Sequence, residues 1–223
     1  MDKLKDVLDR IGEYITQRES EQEPITREAE MQMQRILAEE QAQRWREQGI
    51  TPRYHGSTWE NWIADTPQKK EAFSKARQAW EKNLFLTGNN GTGKTHLAMC
   101  LAKDGATYKR LPDIFREVRS SYNNVSRYIP SANLTMQGSS ESEIIDWYGE
   151  RRLLVIDEIG RQKFNDFEIG LVFEIIDRRW GNVLPTTVIT NLSEQEFADI
   201  YGTAILDRLR PVVARFDWES MRA

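Results

Sequence analysis

Apolar residues recur every three to four positions over the first fifty residues, then give way to helical stripes alternating with short unbroken apolar runs. Leu4, Val7, Leu8, Ile11 and Ile15 form an i, i+3, i+4 stripe that predicts a short amphipathic helix. The polar stretch from Ser20 to Pro24 ends it, and Pro24 suits the first turn of a second, longer helix. That helix is expected to run to about Glu47, with Ala29, Met33, Ile36 and Leu37 on one side and Gly49 as its stop. Two such helices bury little alone. They fit an appendage folded onto a larger domain, or a docking surface whose apolar stripe enters a partner's groove, and the second reading is taken forward.

From Gly49 to Tyr54 the chain reads as a linker. Beyond it the pattern predicts a helix from Pro67 to Glu81, a buried strand over Asn83–Thr87, and a helix carrying Leu97, Ala98, Leu101 and Ala102. A strand or turn near Ala106–Leu111 and a helix from Pro112 to Tyr122 follow. Asn123 to Ser139 is polar and irregular. Ser140 and Glu143 form a capping box that opens a short helix. Leu153–Ile156 and Thr186–Thr190 lack alternation, as expected of parallel strands buried on both faces, and a helix from Asp166 to Trp180 lies between them. Alternating strands and helices imply an α/β fold, a parallel sheet with helices on both faces. The expected division is a helical segment, 1–48, and one α/β domain, 49–223.

Charge sharpens that division. Residues 1–50 hold eight Lys/Arg against twelve Asp/Glu, the whole of the net −4, while the remainder holds equal numbers and is neutral. A neutral body argues against strong autonomous binding to duplex DNA. No apolar run approaches the roughly 20 residues of a membrane span. Cys100 is the only cysteine, so no internal disulfide or cysteine zinc site can form, which fits a reducing cytoplasm. His55 and His96 are too few for a histidine metal site.

The chemistry is concentrated in Gly88-Asn89-Asn90-Gly91-Thr92-Gly93-Lys94-Thr95, which matches the phosphate-binding P-loop between a predicted strand and a predicted helix. Its backbone N–H groups would cradle the phosphates of ATP with the positive end of the following helix. Lys94 would reach the outer phosphates, Thr95 would ligate Mg²⁺, and His96 follows on the helix as a further residue beside the nucleotide. The second constellation is Asp157-Glu158 at the end of the Leu153–Ile156 strand, a Walker B pattern. Asp157 would hold Mg²⁺, and Glu158 would polarise the water that attacks the γ-phosphate. Asn191, at the tip of the next strand, would hydrogen-bond that water, although an asparagine there also serves as a turn or cap residue. Arg208, Arg210, Arg215 and Arg222 offer guanidinium groups for a charged transition state, and equally fit solvated or ion-paired arginines.

These motifs, with GITPRY…TWENW (49–62), FSKARQAWEKN (73–83), EIIDRR (174–179), TNLS (190–193), ILDRLR (205–210) and FDWESMR (216–222), resemble the DnaC-type helicase loaders of the AAA+ ATPases over residues 49–223. The resemblance implies ATP binding and hydrolysis, with Asn191 as sensor 1. It also implies Arg208 as an arginine finger supplied to the adjacent subunit and Arg222 as sensor 2. The spacing between those two arginines is slightly short for the family, so Arg210 or Arg215 could hold one of the roles. It further implies docking of the N-terminal helices on a DnaB-type hexameric helicase, self-association into an open ring or spiral on it, and delivery to single-stranded DNA. Basic residues interleaved with aromatics over Tyr108–Tyr128, namely Lys109, Arg110, Arg116, Arg119 and Arg127 with Phe115 and Tyr122, fit single-strand binding or a basic helix with its aromatics in the core. Rival readings are an IstB-type transposition ATPase, whose pattern has a second aspartate in Walker B and lacks the asparagine sensor, and a nucleotide-bound adaptor that does not hydrolyse. A DnaA-like initiator would need a helix-turn-helix domain after Arg222.

Overall fold

The computed structural model describes residues 10–12, 27–122, 127–129, 134–136, 140–160 and 165–221. The chain divides into two compact units, Met1–Arg44 and Trp45–Ala223. In the first, residues 10–12 are helical and α1 begins, spanning Arg27–Glu47. Pro24 and the predicted stripe, apart from Ile11, lie outside the described residues. Met31, Ile36 and Leu37 are exposed on α1, beside an Arg35–Glu39 pair one turn apart. No helix among the described residues is long and apolar enough to cross a membrane.

The second unit opens with the last turn of α1 and a 3₁₀ turn, Pro52–Tyr54. Helix α2 (Pro67–Ala76) starts where Thr66 caps the Lys69 N–H and Pro67 occupies the first turn. It stops five residues short of the expected Glu81, and turns follow. Strand β1 (Leu84–Gly88), α3 (Lys94–Lys103), β2 (Thr107–Arg110) and α4 (Leu111–Ser121) come next. The stretch expected to be irregular contains an antiparallel hairpin, β3 (Arg127–Ile129) with β4 (Leu134–Met136). The Ser140–Glu143 capping box opens α5 (Glu141–Gly149), followed by β5 (Leu154–Ile159), α6 (Asp166–Gly181) and β6 (Thr186–Thr190). Three elements not anticipated complete the unit: α7 (Glu194–Tyr201), α8 (Thr203–Leu209) and β7 (Val212–Phe216).

The five main strands form a parallel sheet in the order β2-β5-β6-β1-β7. Alternate side chains of each strand enter different cores, which is why the strands read as unbroken apolar runs. Phe85, Leu154, Ile156 and Val188 pack with α4 to α8 on one face. Leu84, Leu86, Val155 and Ile189 pack with α2, α3, Ile50 of the linker and Trp62 of the turns that follow it on the other. The predicted parallel α/β sheet with helices on both faces is therefore present.

Candidate functional site

Strands β1, β5 and β6 deliver their C-terminal ends to one edge of the sheet, the edge where open α/β folds bind ligands. The loop after β1 turns tightly into α3. Its third glycine, Gly93, has φ 95°, and a Cβ there would lie 2.2 Å from the ring of Trp62. Packing against Trp62, as well as backbone conformation, thus requires glycine at this position. Asn89 N–H donates to the Phe216 carbonyl at 3.0 Å, and Met221 N–H donates to the Gly91 carbonyl at 2.8 Å. Trp218 Nε1–H donates to the Thr92 carbonyl at 3.2 Å. The tail from Phe216 to Met221 is therefore a brace for the phosphate loop, a role its sequence did not announce.

Lys94 is buried, and its ammonium donates to the carbonyls of Gly88 and Asn89, each at 2.6 Å. Thr95 Oγ1 donates to Asp157 Oδ2 at 2.9 Å, the Tyr108 hydroxyl donates to the same oxygen at 2.9 Å, and Glu158 N–H donates to Oδ1 at 2.7 Å. Burial raises the Asp157 pKa above its ordinary value, opposed by those three bonds. Glu158 takes the left-handed region, φ 63°, within an irregularity of the β5–β6 pairing between Ile156 and Ile159. A bulge beside a site re-aims the side chain that follows. Asn191 Nδ2–H donates to Asn90 Oδ1 at 2.9 Å, so the tip of β6 meets the phosphate loop directly.

A cavity of about 610 Å³ joins these groups. Its walls include every residue from Asn90 to His96 together with Asp157, Glu158 and Asn191, and Arg53, Tyr54, Trp62 and Met221 close the other side. Gly88 and Asn89 are not among its lining residues; their carbonyls hold Lys94. His96 lines the cavity, and its Nε2–H donates to the Thr58 carbonyl at 2.9 Å, so it also fastens the turn at Thr58 to α3. Thr95 and Asp157 offer two hard oxygen donors side by side, and among the described residues no group of three or more His, Cys, Asp or Glu forms a metal cage. That donor set suits Mg²⁺, which proteins hold through one or two side chains and substrate phosphates.

The arginines separate sharply. Arg208 pairs with Asp177 and lies over the rings of Phe173 and Trp180, at 4.6 and 5.6 Å. The neighbouring Leu209 carbonyl accepts from Asn83 Nδ2 at the start of β1, whereas the phosphate loop leaves that strand's other end. Five strand residues, about 16 Å, separate the two ends. Arg208 therefore sits at the sheet edge opposite its own phosphate loop. Arg210 is exposed and contacts Asp207, Arg215 pairs with Glu194 at 2.6 Å, and Arg222 lies outside the described residues.

Sequence reasoning missed Arg179, which is fully buried. It donates to the Tyr148, Arg151 and Pro185 carbonyls at 2.7, 2.8 and 2.5 Å and to Thr186 Oγ1 at 2.8 Å. The basic, aromatic stretch is also corrected in part. Phe115 and Tyr108 are core residues, so neither is a platform for a base. Lys109 pairs with Glu117, Arg110 and Arg116 with Asp113, and Arg119 with Glu168, while Tyr122 is exposed.

The family model for IstB-like ATP binding proteins matches residues 64–222. The chain belongs to this family. This IstB-like chain is also 28% identical over 190 residues to the replicative helicase loader DnaC of Escherichia coli (strain K12), spanning 78% of this chain and 73% of that protein. The crystal structure of the DnaC helicase loader superposes with a TM-score of 0.59 at 17% identity, over 74% of this chain and 99% of that one. AMPPCP-bound DnaA from Aquifex aeolicus superposes with a TM-score of 0.59 at 16% identity, over 76% and 51%. Together with the family match, these superpositions show the fold, a P-loop architecture of AAA+ type with a parallel sheet and helices on both faces.

Proposed function

We propose that this IstB-like protein is an ATP-hydrolysing loader of a hexameric replicative helicase onto single-stranded DNA in the cytoplasm. The observation that carries the ATPase half is the meeting of Lys94, Thr95, Asp157, Glu158 and Asn191 in one cavity. Phosphoryl transfer needs little covalent chemistry from a protein, only positioning and charge, and these residues supply both. Lys94 exchanges the two loop carbonyls for phosphate oxygens. Thr95 and Asp157 would hold Mg²⁺, which would supply positive charge against the phosphates. Glu158 accepts the proton of the attacking water, and Asn191 orients that water.

The loader half rests on the similarity to DnaC across most of both chains. The exposed apolar residues of α1 support docking through residues 1–48. The position of Arg208, far from its own phosphate loop, supports a finger acting on a neighbouring subunit in an open ring. The family match supports a second reading, a transposition helper ATPase.

Mixing the full chain, and a chain lacking residues 1–48, with the host replicative helicase tests the proposal by light scattering after gel filtration. The full chain should co-elute with the hexamer, and the truncated chain should not while still binding ATP. A full chain that ignores the helicase but engages a transposase would overturn the loader reading in favour of the second one.

A further inference from the structure

The aspartate of the Walker B pattern is approached from a side the phosphate loop does not use. Tyr108, on the edge strand β2, is buried and donates its hydroxyl to Asp157 Oδ2 at 2.9 Å. An ionised carboxylate offers about four acceptor directions. Thr95, Tyr108 and the Glu158 N–H fill three of them. The remaining direction is the one left for a cation or for a water bound to it. A phenylalanine would fill the same apolar space, so packing does not account for the hydroxyl.

The backbone of Tyr108 is held as firmly as its side chain. Its N–H donates to the Gln48 carbonyl at 3.2 Å. Gly49, at φ 81°, lies so close that a Cβ there would stand 2.4 Å from the Tyr108 carbonyl oxygen. A second cavity of about 430 Å³ reaches Tyr108 and Asp157 past Gly49 and Thr51. Water entering by that route would compete for the carboxylate oxygen that the phenol occupies.

We propose that Tyr108 is a positioning residue for the metal-holding carboxylate, fixing Asp157 so that a single acceptor direction faces the Mg²⁺–nucleotide. The proposal rests on the nucleotide-site reading above. The test compares the full-length protein with Tyr108→Phe, measuring affinity for a fluorescent ATP analogue in EDTA and in excess Mg²⁺. Affinity in EDTA should agree within about twofold, because the ring and the phosphate loop are untouched. The tightening brought by Mg²⁺ should fall about tenfold, the lower end of what loss of an outer-shell partner costs a metal site. Mn²⁺ affinity of the nucleotide complex, read by electron paramagnetic resonance, should weaken by the same factor. An unchanged Mg²⁺ effect and unchanged Mn²⁺ affinity in Tyr108→Phe would overturn the proposal. Equal weakening in EDTA and in Mg²⁺ would do so as well, since that is the mark of a packing residue. A wild-type protein with no Mg²⁺-dependent nucleotide binding would instead sink the nucleotide-site reading itself.

Discussion

Replacing Arg179 by methionine removes a buried cation while keeping most of its aliphatic length, and the structure sets the size of the loss. The guanidinium holds the ends of three elements together: the Tyr148 carbonyl near the end of α5, the Arg151 carbonyl before β5, and Pro185 with Thr186 at the start of β6. Hydrogen bonds from a charged donor contribute roughly 1.5–3 kcal/mol each. Burial presses the pKa of this arginine down to about 9, the sign that its charge is held at a desolvation cost of several kcal/mol. Methionine leaves four buried acceptors without this donor, and at about 1 kcal/mol each, the lower end of such a loss, the cost is about 4 kcal/mol, a large share of the roughly 5–15 kcal/mol that holds a domain folded. With a urea dependence of about 2 kcal/mol per molar, the unfolding midpoint of Arg179→Met should fall by about 2 M. Tryptophan fluorescence and circular dichroism during urea titration read this directly. Arg178→Met is the control: its partly exposed side chain pairs with an equally exposed Asp146, and such pairs contribute about 0–1 kcal/mol. If Arg179→Met unfolds within about 0.5 M of wild type, or Arg178→Met loses more, Arg179 does not clamp these elements.

Three further outcomes are expected. Lys94→Ala should lose ATP binding, measured by equilibrium titration, because backbone N–H groups alone do not offset the outer phosphates. Glu158→Gln should bind ATP like wild type yet turn it over at least about a hundredfold more slowly in a phosphate-release assay, in line with loss of a general base; wild-type turnover in both variants would sink the site. Arg208→Ala should bind nucleotide normally with turnover lowered about 10³-fold, and mixing it with Lys94→Ala subunits should restore activity. A mixture as inactive as its parts, under conditions where wild type assembles, would place Arg208 in a structural role and move the finger to Arg210 or Arg215.

The phosphate loop was legible because its chemistry admits few residue types at each position, and the Asp157–Glu158 strand end because a parallel strand must be apolar until it meets solvent. The C-terminal elements were missed for physical reasons. Strand β7 is an edge strand with an arginine inside it, so it lacks the unbroken apolar run of β5 and β6. Helix α7 did carry a signal, the Ser193–Glu196 capping box, but its eight residues show too short an apolar stripe to stand out. The tail grips the loop largely through backbone N–H and C=O groups, which leave no mark on residue identity. Arg179 reads like any surface helix arginine, and only the packing of β6 beneath it shows otherwise. On α4 the pattern chooses between the two readings left open: Leu111, Ile114, Phe115 and Val118 repeat at helical spacing, and that period turns Phe115 inward.

The order of strands has a consequence for how the protein is made. The strand that carries the phosphate loop pairs on one side with β6 and on the other with β7, both encoded about a hundred residues or more after it. A nascent chain that has just released its Asp157–Glu158 segment from the ribosome thus holds Leu84-Phe85-Leu86 with neither edge covered. Such a strand is open to mispairing with other chains until β6 and β7 have both emerged. Nucleotide would not rescue the intermediate, because the brace at Trp218 and Met221 follows β7 in the chain. Premature termination anywhere before β7 should therefore leave an aggregating fragment in place of a smaller nucleotide-binding unit.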